Sequence, residues 1–300
     1  MSFSLSLRTC LFCAVAAASF SGMETTAFAG HPAPETVSPE MAALVSAPAG
    51  ALWTTAVNTE SAMRAIAKDY AQKSGKSARE LARPLRVSVA ASQMNGVPVF
   101  TLEPEDADKR KTDKVVLYLH GGGYVLGHGV AGIAEALPLT GWHGRKVISP
   151  DYRMAPEHPF PAAVDDAFAV YRELIRTLDP KNIVVYGTST GGAMTLILGL
   201  QIAQAGLPMP AGLIAGTPWA DMGKVGDNYV THDGLDNVLG TYDALIASAV
   251  RFYAQGRDLK NPLISPVYAA EEDLRKFPPV LLISGTRDLF LTESRGIPHA

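Results

Sequence analysis

The sequence predicts an α/β fold on a mostly parallel sheet, and three observations carry that expectation. Short apolar runs at 114–119, 183–186, 212–216 and 279–284 alternate with stretches of helical spacing. Runs apolar on every residue are the mark of strands covered on both faces, and parallel neighbours need helical crossovers between them. Two of these runs also end abruptly in glycine-rich turns, His120-Gly121-Gly122-Gly123-Tyr124 and Gly187-Thr188-Ser189-Thr190-Gly191-Gly192. Such turns at the carboxyl ends of parallel strands are where an open α/β sheet binds its ligands.

The first 29 residues stand apart from this pattern. Arg8 gives a positive start, residues 10–20 a short apolar core, and Ala27-Phe28-Ala29 an A-x-A cleavage site. The run is too short to span a bilayer as a helix, so the expectation is an export signal, a periplasmic or secreted product, and no stable membrane span after its removal. Both cysteines, Cys10 and Cys13, lie inside that piece, so the remaining 271 residues hold no disulfide. At 47% hydrophobic content those residues, 30–300, suffice for one large domain. A net charge of −3 argues against a nucleic-acid or membrane-surface partner. The basic run Lys109-Arg110-Lys111 follows acidic residues and reads as a solvated loop.

Residues 38–83 have helical spacing, with Ser77 expected to cap a short third segment, and as a prefix to the sheet they suit part of a lid. Asn95-Gly96 between two β-rich runs signals a hairpin, so the sheet should begin antiparallel. After the strand at 146–149, four prolines in residues 150–161 forbid regular structure, and Asp151, Arg153 and Glu157 are candidates for an ion-pair network pinning the glycine loop. Residues 165–178 return to helical spacing before the strand at 183.

Chemistry concentrates at the two glycine turns. A serine on a tight strand-to-helix turn has its hydroxyl held clear of the sheet, beside the amides that open the helix, and the flanking glycines avoid Cβ collisions. Ser189 is therefore the candidate acyl-transfer nucleophile. Successive glycines at 121–123 bare their N–H groups, and donors aimed at a developing oxyanion are worth about 3 kcal/mol each. His120 is assigned to holding that loop. No Gly-Lys-Ser/Thr follows the glycines, and no zinc or calcium spacing occurs, so neither cofactor nor metal is expected.

Taken in order, His120-Gly-Gly-Gly-Tyr124, Asp151-Tyr-Arg-Met-Ala-Pro-Glu-His-Pro-Phe-Pro161, Gly187-x-Ser-x-Gly-Gly192, Thr217-Pro-Trp-Ala-Asp221, Pro262-Leu-Ile-Ser-Pro-Val-Tyr268 and Gly285-Thr-Arg-Asp288 resemble the hormone-sensitive-lipase-like branch of the α/β-hydrolases, the bacterial group IV esterases. The resemblance implies an α/β-hydrolase fold with a helical lid, made here from residues 30–84 and about 221–260. It also implies a Ser–Asp–His order of catalytic residues and hydrolysis of short or medium acyl esters or lactones. On that reading Asp288 orients the histidine, and the oxyanion hole comprises the amides of Gly121, Gly122 and Thr190. Tyr124, Trp219 and Tyr229 either line an acyl pocket or simply pack.

Two features depart from the family pattern. Thr188 and Thr190 stand where the family has Gly-Asp-Ser-Ala-Gly-Gly. His299 is the only histidine after Asp288, where the family continues with a further helix and strand. The expectation is a shortened carboxyl end lacking the last strand and helix, an exposed apolar edge at 280–283 and impaired activity, with a non-catalytic small-molecule binder or an inactive truncated homologue as the alternatives.

Overall fold

Asn95 and Gly96 both take left-handed angles, φ 48° and 82°, which an asparagine and a glycine adopt at small cost. That turn folds β1 (Val87–Met94) back on β2 (Val97–Pro104), with Met94 opposite Val97. The computed structural model describes residues 32–106 and 113–297. The expected export signal, the basic run at 109–111 and His299 lie outside the described residues.

The remaining strands are β3 (Val115–Leu119), β4 (Lys146–Pro150), β5 (Ile183–Thr188), β6 (Gly212–Gly216) and β7 (Val280–Ile283). The helices are α1 (Pro39–Val45), α2 (Glu60–Ala82), α3 (Ala136–His143), α4 (Ala162–Leu174), α5 (Thr190–Gln204), α6 (Asn228–Thr231), α7 (Ala247–Ala254), α8 (Glu271–Leu274) and α9 (Leu291–Gly296). Sheet order is β1-β2-β4-β3-β5-β6-β7. β2 meets β4 antiparallel, and every pairing from β4 to β7 is parallel, as the alternation of apolar runs and helical stretches predicts.

β3 and β5 sit at the centre, and β3 is buried on both faces. Leu117 and Leu119 join Val164, Val185 and Ile197 on one side. Tyr118 points the other way, into a cluster with Ala78 and Ala82 of α2 and Leu137 of α3. Both glycine turns therefore leave the two best-anchored strands side by side. Among the described strands β7 pairs with β6 alone, and its Val280, Leu281 and Ile283 are 40%, 53% and 49% exposed, at the positions where an apolar edge is expected.

Two boundaries differ from expectation. Ser77 caps nothing: α2 runs unbroken through it, and its hydroxyl donates to Lys73 O at 3.2 Å. Ser74, Gly75 and Ala78 are buried on α2, and Gly75 faces Ala131, so packing carries the helix through a weak stretch. α4 opens at Ala162, three residues before the expected start, directly after the last proline of the loop. Residues 221–260 contain no strand, as expected.

Candidate active site

Ser189 closes β5 and precedes α5, with φ 56° and ψ −122°, a region that residues other than glycine rarely occupy. Neighbouring backbone holds it there. Its N–H donates to Gly216 O at 2.9 Å, and its carbonyl accepts from Trp219 N–H at 3.1 Å and Ala193 N–H at 3.0 Å. Close approach explains the flanking glycines: a Cβ on Gly187 would lie 2.2 Å from Gly191 O, and one on Gly191 1.9 Å from Leu119 O.

The glycine loop lies against this turn. Gly123 N–H donates to Thr190 Oγ1 at 3.1 Å, and Tyr124 OH to Thr190 O at 3.3 Å. Thr190, the departure from the family pattern, thus ties loop to elbow. By contrast, the N–H groups of Gly121, Gly122 and Thr190 donate to no described residue. Those three amides are the expected oxyanion donors. Gly121, Gly122 and Ser189 line one cavity of about 790 Å³ together with His120 and Asp288.

Asp288 is held on the turn after β7. Its Oδ2 accepts from Ser284 Oγ at 2.7 Å and its Oδ1 from Phe290 N–H at 2.9 Å. Burial pushes its carboxyl above the ordinary value, against the downward pull of those two hydrogen bonds. A carboxylate offers about four acceptor positions, so room remains for an imidazole N–H.

Residues 116–299, about three fifths of the chain, match the model of the alpha/beta hydrolase fold family. This chain belongs to that family. Within it the chain falls in the hormone-sensitive-lipase-like branch. Esterase E25, a crystallised protein, is 38% identical with a TM-score of 0.81, the match covering 92% of this chain and 84% of that one. A crystallised esterase of the bacterial hormone-sensitive lipase family is 31% identical, TM-score 0.65, over 74% of this chain and 75% of that one. An acetyl-hydrolase of Streptomyces hygroscopicus is 35% identical over 64% of this chain and 62% of its own length. The chain thus spans about three fifths of the length of these curated relatives.

Five of the chain's seven histidines are described, and none hydrogen-bonds to Ser189 or Asp288. His232 approaches the aspartate's loop, with Nε2 2.9 Å from Thr286 O. His120 holds the glycine loop, as assigned. Its Nδ1 lies 2.7 Å from Gly121 O and its ring stacks on Tyr152, whose hydroxyl donates to His120 O at 2.7 Å. Burial lowers this imidazole from 6.5 to about 4. A group depressed in the folded state contributes stability that is complete above pH 6.5 and is lost as pH falls through about 4, because the unfolded chain takes up its proton first. The amount is on the order of 3 kcal/mol. His120→Asn, which keeps a donor for Gly121 O, should therefore lose melting temperature less steeply than wild type between pH 6.5 and 4. Parallel slopes would remove His120 as the titrating group.

The expected ion-pair network does not form as a unit. Asp151 accepts from Gly129 N–H at 2.8 Å beside the loop, whereas Arg153 pairs with Asp166 of α4 at 2.7 Å and Glu157 with Arg64 of α2 at 2.8 Å. The last two brace the proline-rich loop against the helices on either side of it. Tyr124, Trp219 and Tyr229 pack rather than line the cavity: Tyr124 stacks on Tyr253, Trp219 on Phe290, and Tyr229 donates to buried Glu293. Leu52, Trp53, Tyr70, Leu239 and Phe290 line it instead.

Sequence reasoning passed over Asp236. Its Oδ1 accepts from the N–H groups of Val238 and Leu239, and its Oδ2 accepts from Leu289 N–H at 3.0 Å. It pins the residue after Asp288 to the 236–239 segment. An aspartate capping a turn was visible, but its long-range partner was not. Among the described residues no group of His, Cys, Asp and Glu could hold a metal ion, and no helix is long and apolar enough to cross a membrane.

Proposed function

We propose that the protein hydrolyses carboxylic esters of short or medium acyl chains, or lactones, through Ser189. The observation that carries the reading is a strained serine in one cavity with Gly121 and Gly122, whose amides, like that of the adjoining Thr190, are unengaged. Ser189 Oγ attacks the acyl carbon and gives up its proton to a base. The carbonyl oxygen becomes an oxyanion and is held by the three amides. Collapse breaks the ester C–O bond, the alcohol leaves with the proton, and water then releases the acid by the same route. Asp288 orients the base, for which His299 is the candidate, since it follows Asp288 in the chain order the family uses. Residues 30–84 and 221–260 act as lid segments over the cavity, to whose wall both contribute. Residues 1–29 direct export.

A second reading, a small-molecule binder using the same cavity without turnover, is favoured by the absence of any described histidine on Ser189 or Asp288. Turnover of p-nitrophenyl butyrate, together with intact-mass analysis after a fluorophosphonate probe, tests both. Turnover abolished by one adduct on the Ser189 peptide is the expected result. Saturable binding of butyrate esters with neither adduct nor turnover would favour the binder and defeat the hydrolase reading.

A further inference from the structure

Glu135 immediately precedes α3, and its Oε2 accepts two hydroxyl hydrogen bonds, from Tyr118 at 3.0 Å and from Thr188. Tyr118 stands two residues before His120 of the glycine loop, and Thr188 is the residue before Ser189. One carboxylate oxygen therefore ties the ends of β3 and β5 together. The other is unengaged: Oε1 receives no hydrogen bond and makes no ion pair with any described residue. Glu135 is exposed, and it lines the cavity beside Thr188 and Ser189.

The other charged groups of the cavity wall are otherwise occupied. Asp69 pairs with Lys73 at 2.9 Å. Arg287 donates to Val45 O and Pro32 O, while Asp236 and Asp288 accept from backbone and serine donors. In all, four carboxylates face the cavity against two cationic side chains. A concave wall of one prevailing sign favours ligands of the other, and a charge-assisted hydrogen bond is roughly twice as strong as a neutral one.

We infer that Glu135 determines specificity: the preferred ester carries a protonated amine on one of its halves, and the ammonium N–H donates to Glu135 Oε1 while the ester carbonyl sits at Ser189. The inference rests on the ester-hydrolase reading of the same cavity and names its substrate class, an amino ester.

Binding to the Ser189→Ala protein separates this inference from the reading beneath it, because no turnover is needed. Two isosteric pairs serve as probes in calorimetry at pH 7: 2-(dimethylamino)ethyl butyrate against 3-methylbutyl butyrate, and ethyl 4-(dimethylamino)butyrate against ethyl 5-methylhexanoate. In at least one pair the amine should bind about tenfold tighter or more. Adding Glu135→Gln should shrink that ratio below about threefold, whereas adding Asp69→Asn should preserve it. Ratios within a variant cancel any general loss from loosening the Tyr118 and Thr188 contacts. Equal binding in both pairs, or a preference that survives Glu135→Gln, would overturn the assignment. Amine preference in a wild-type protein that turns over none of the four esters would defeat the hydrolase reading and leave Glu135's role standing.

Discussion

Ser189→Ala should lower p-nitrophenyl ester turnover by on the order of 10³-fold or more while moving the melting temperature by less than about 2 °C. The two effects separate because the hydroxyl is the proposed nucleophile and is structurally idle. Its oxygen hydrogen-bonds to no described residue, and everything that fixes the position is backbone: N–H to Gly216 O, carbonyl to Trp219 and Ala193. Alanine keeps the Cβ that the elbow already accommodates and meets the same conformational penalty at φ 56°. What remains in the variant is binding and the free amides of Gly121, Gly122 and Thr190, which in serine hydrolases account for roughly 10³- to 10⁴-fold over water. Paired activity and melting curves check it. Activity within tenfold of wild type would move the nucleophile elsewhere.

Much of this site was legible because its parts are local. Asn95-Gly96 dictates a hairpin wherever it falls between strands. The two glycine turns announce themselves because a Cβ at Gly187 or Gly191 meets backbone that belongs to the same turn or to the adjacent strand. Glu135 was illegible for the opposite reason. Its partners Tyr118 and Thr188 lie 17 and 53 residues away, and they converge only once β3 and β5 are neighbours and α3 starts beside them. Arg153 misled in the same way. Sequence proximity suggested Asp151 or Glu157 as its mate, but the proline-rich loop turns its guanidinium toward Asp166 at the start of α4. Short-range motifs thus mark the candidate nucleophile and the candidate oxyanion donors, while the carboxylates that hold their strands in register are set by sheet order.

Gly191→Ala should yield little or no soluble folded protein, whereas Gly285→Ala should melt within about 2 °C of wild type. The contrast is one of surroundings. A Cβ at Gly285 meets nothing within 4 Å, and its φ lies outside the left-handed region. A Cβ at Gly191 would stand 1.9 Å from Leu119 O, 2.6 Å from His120 O and 2.7 Å from Leu119 C. Overpacking against side chains costs typically 1–3 kcal/mol, since rotamers shift. Here every obstructing atom is backbone, from the end of the central strand β3 and the glycine loop, and Gly187 locks the same turn from the other side. The penalty should exceed about 4 kcal/mol, against a total stability of roughly 5–15 kcal/mol. Should some protein fold, it does so by pushing β3 and the loop away from α5, which carries the Gly121 and Gly122 amides off the reacting oxygen. Displacing one such donor costs about 10²- to 10³-fold in turnover. A Gly191→Ala protein that is soluble, melts like wild type and keeps its turnover would show that the glycine loop and the elbow are not in the contact on which the oxyanion assignment depends.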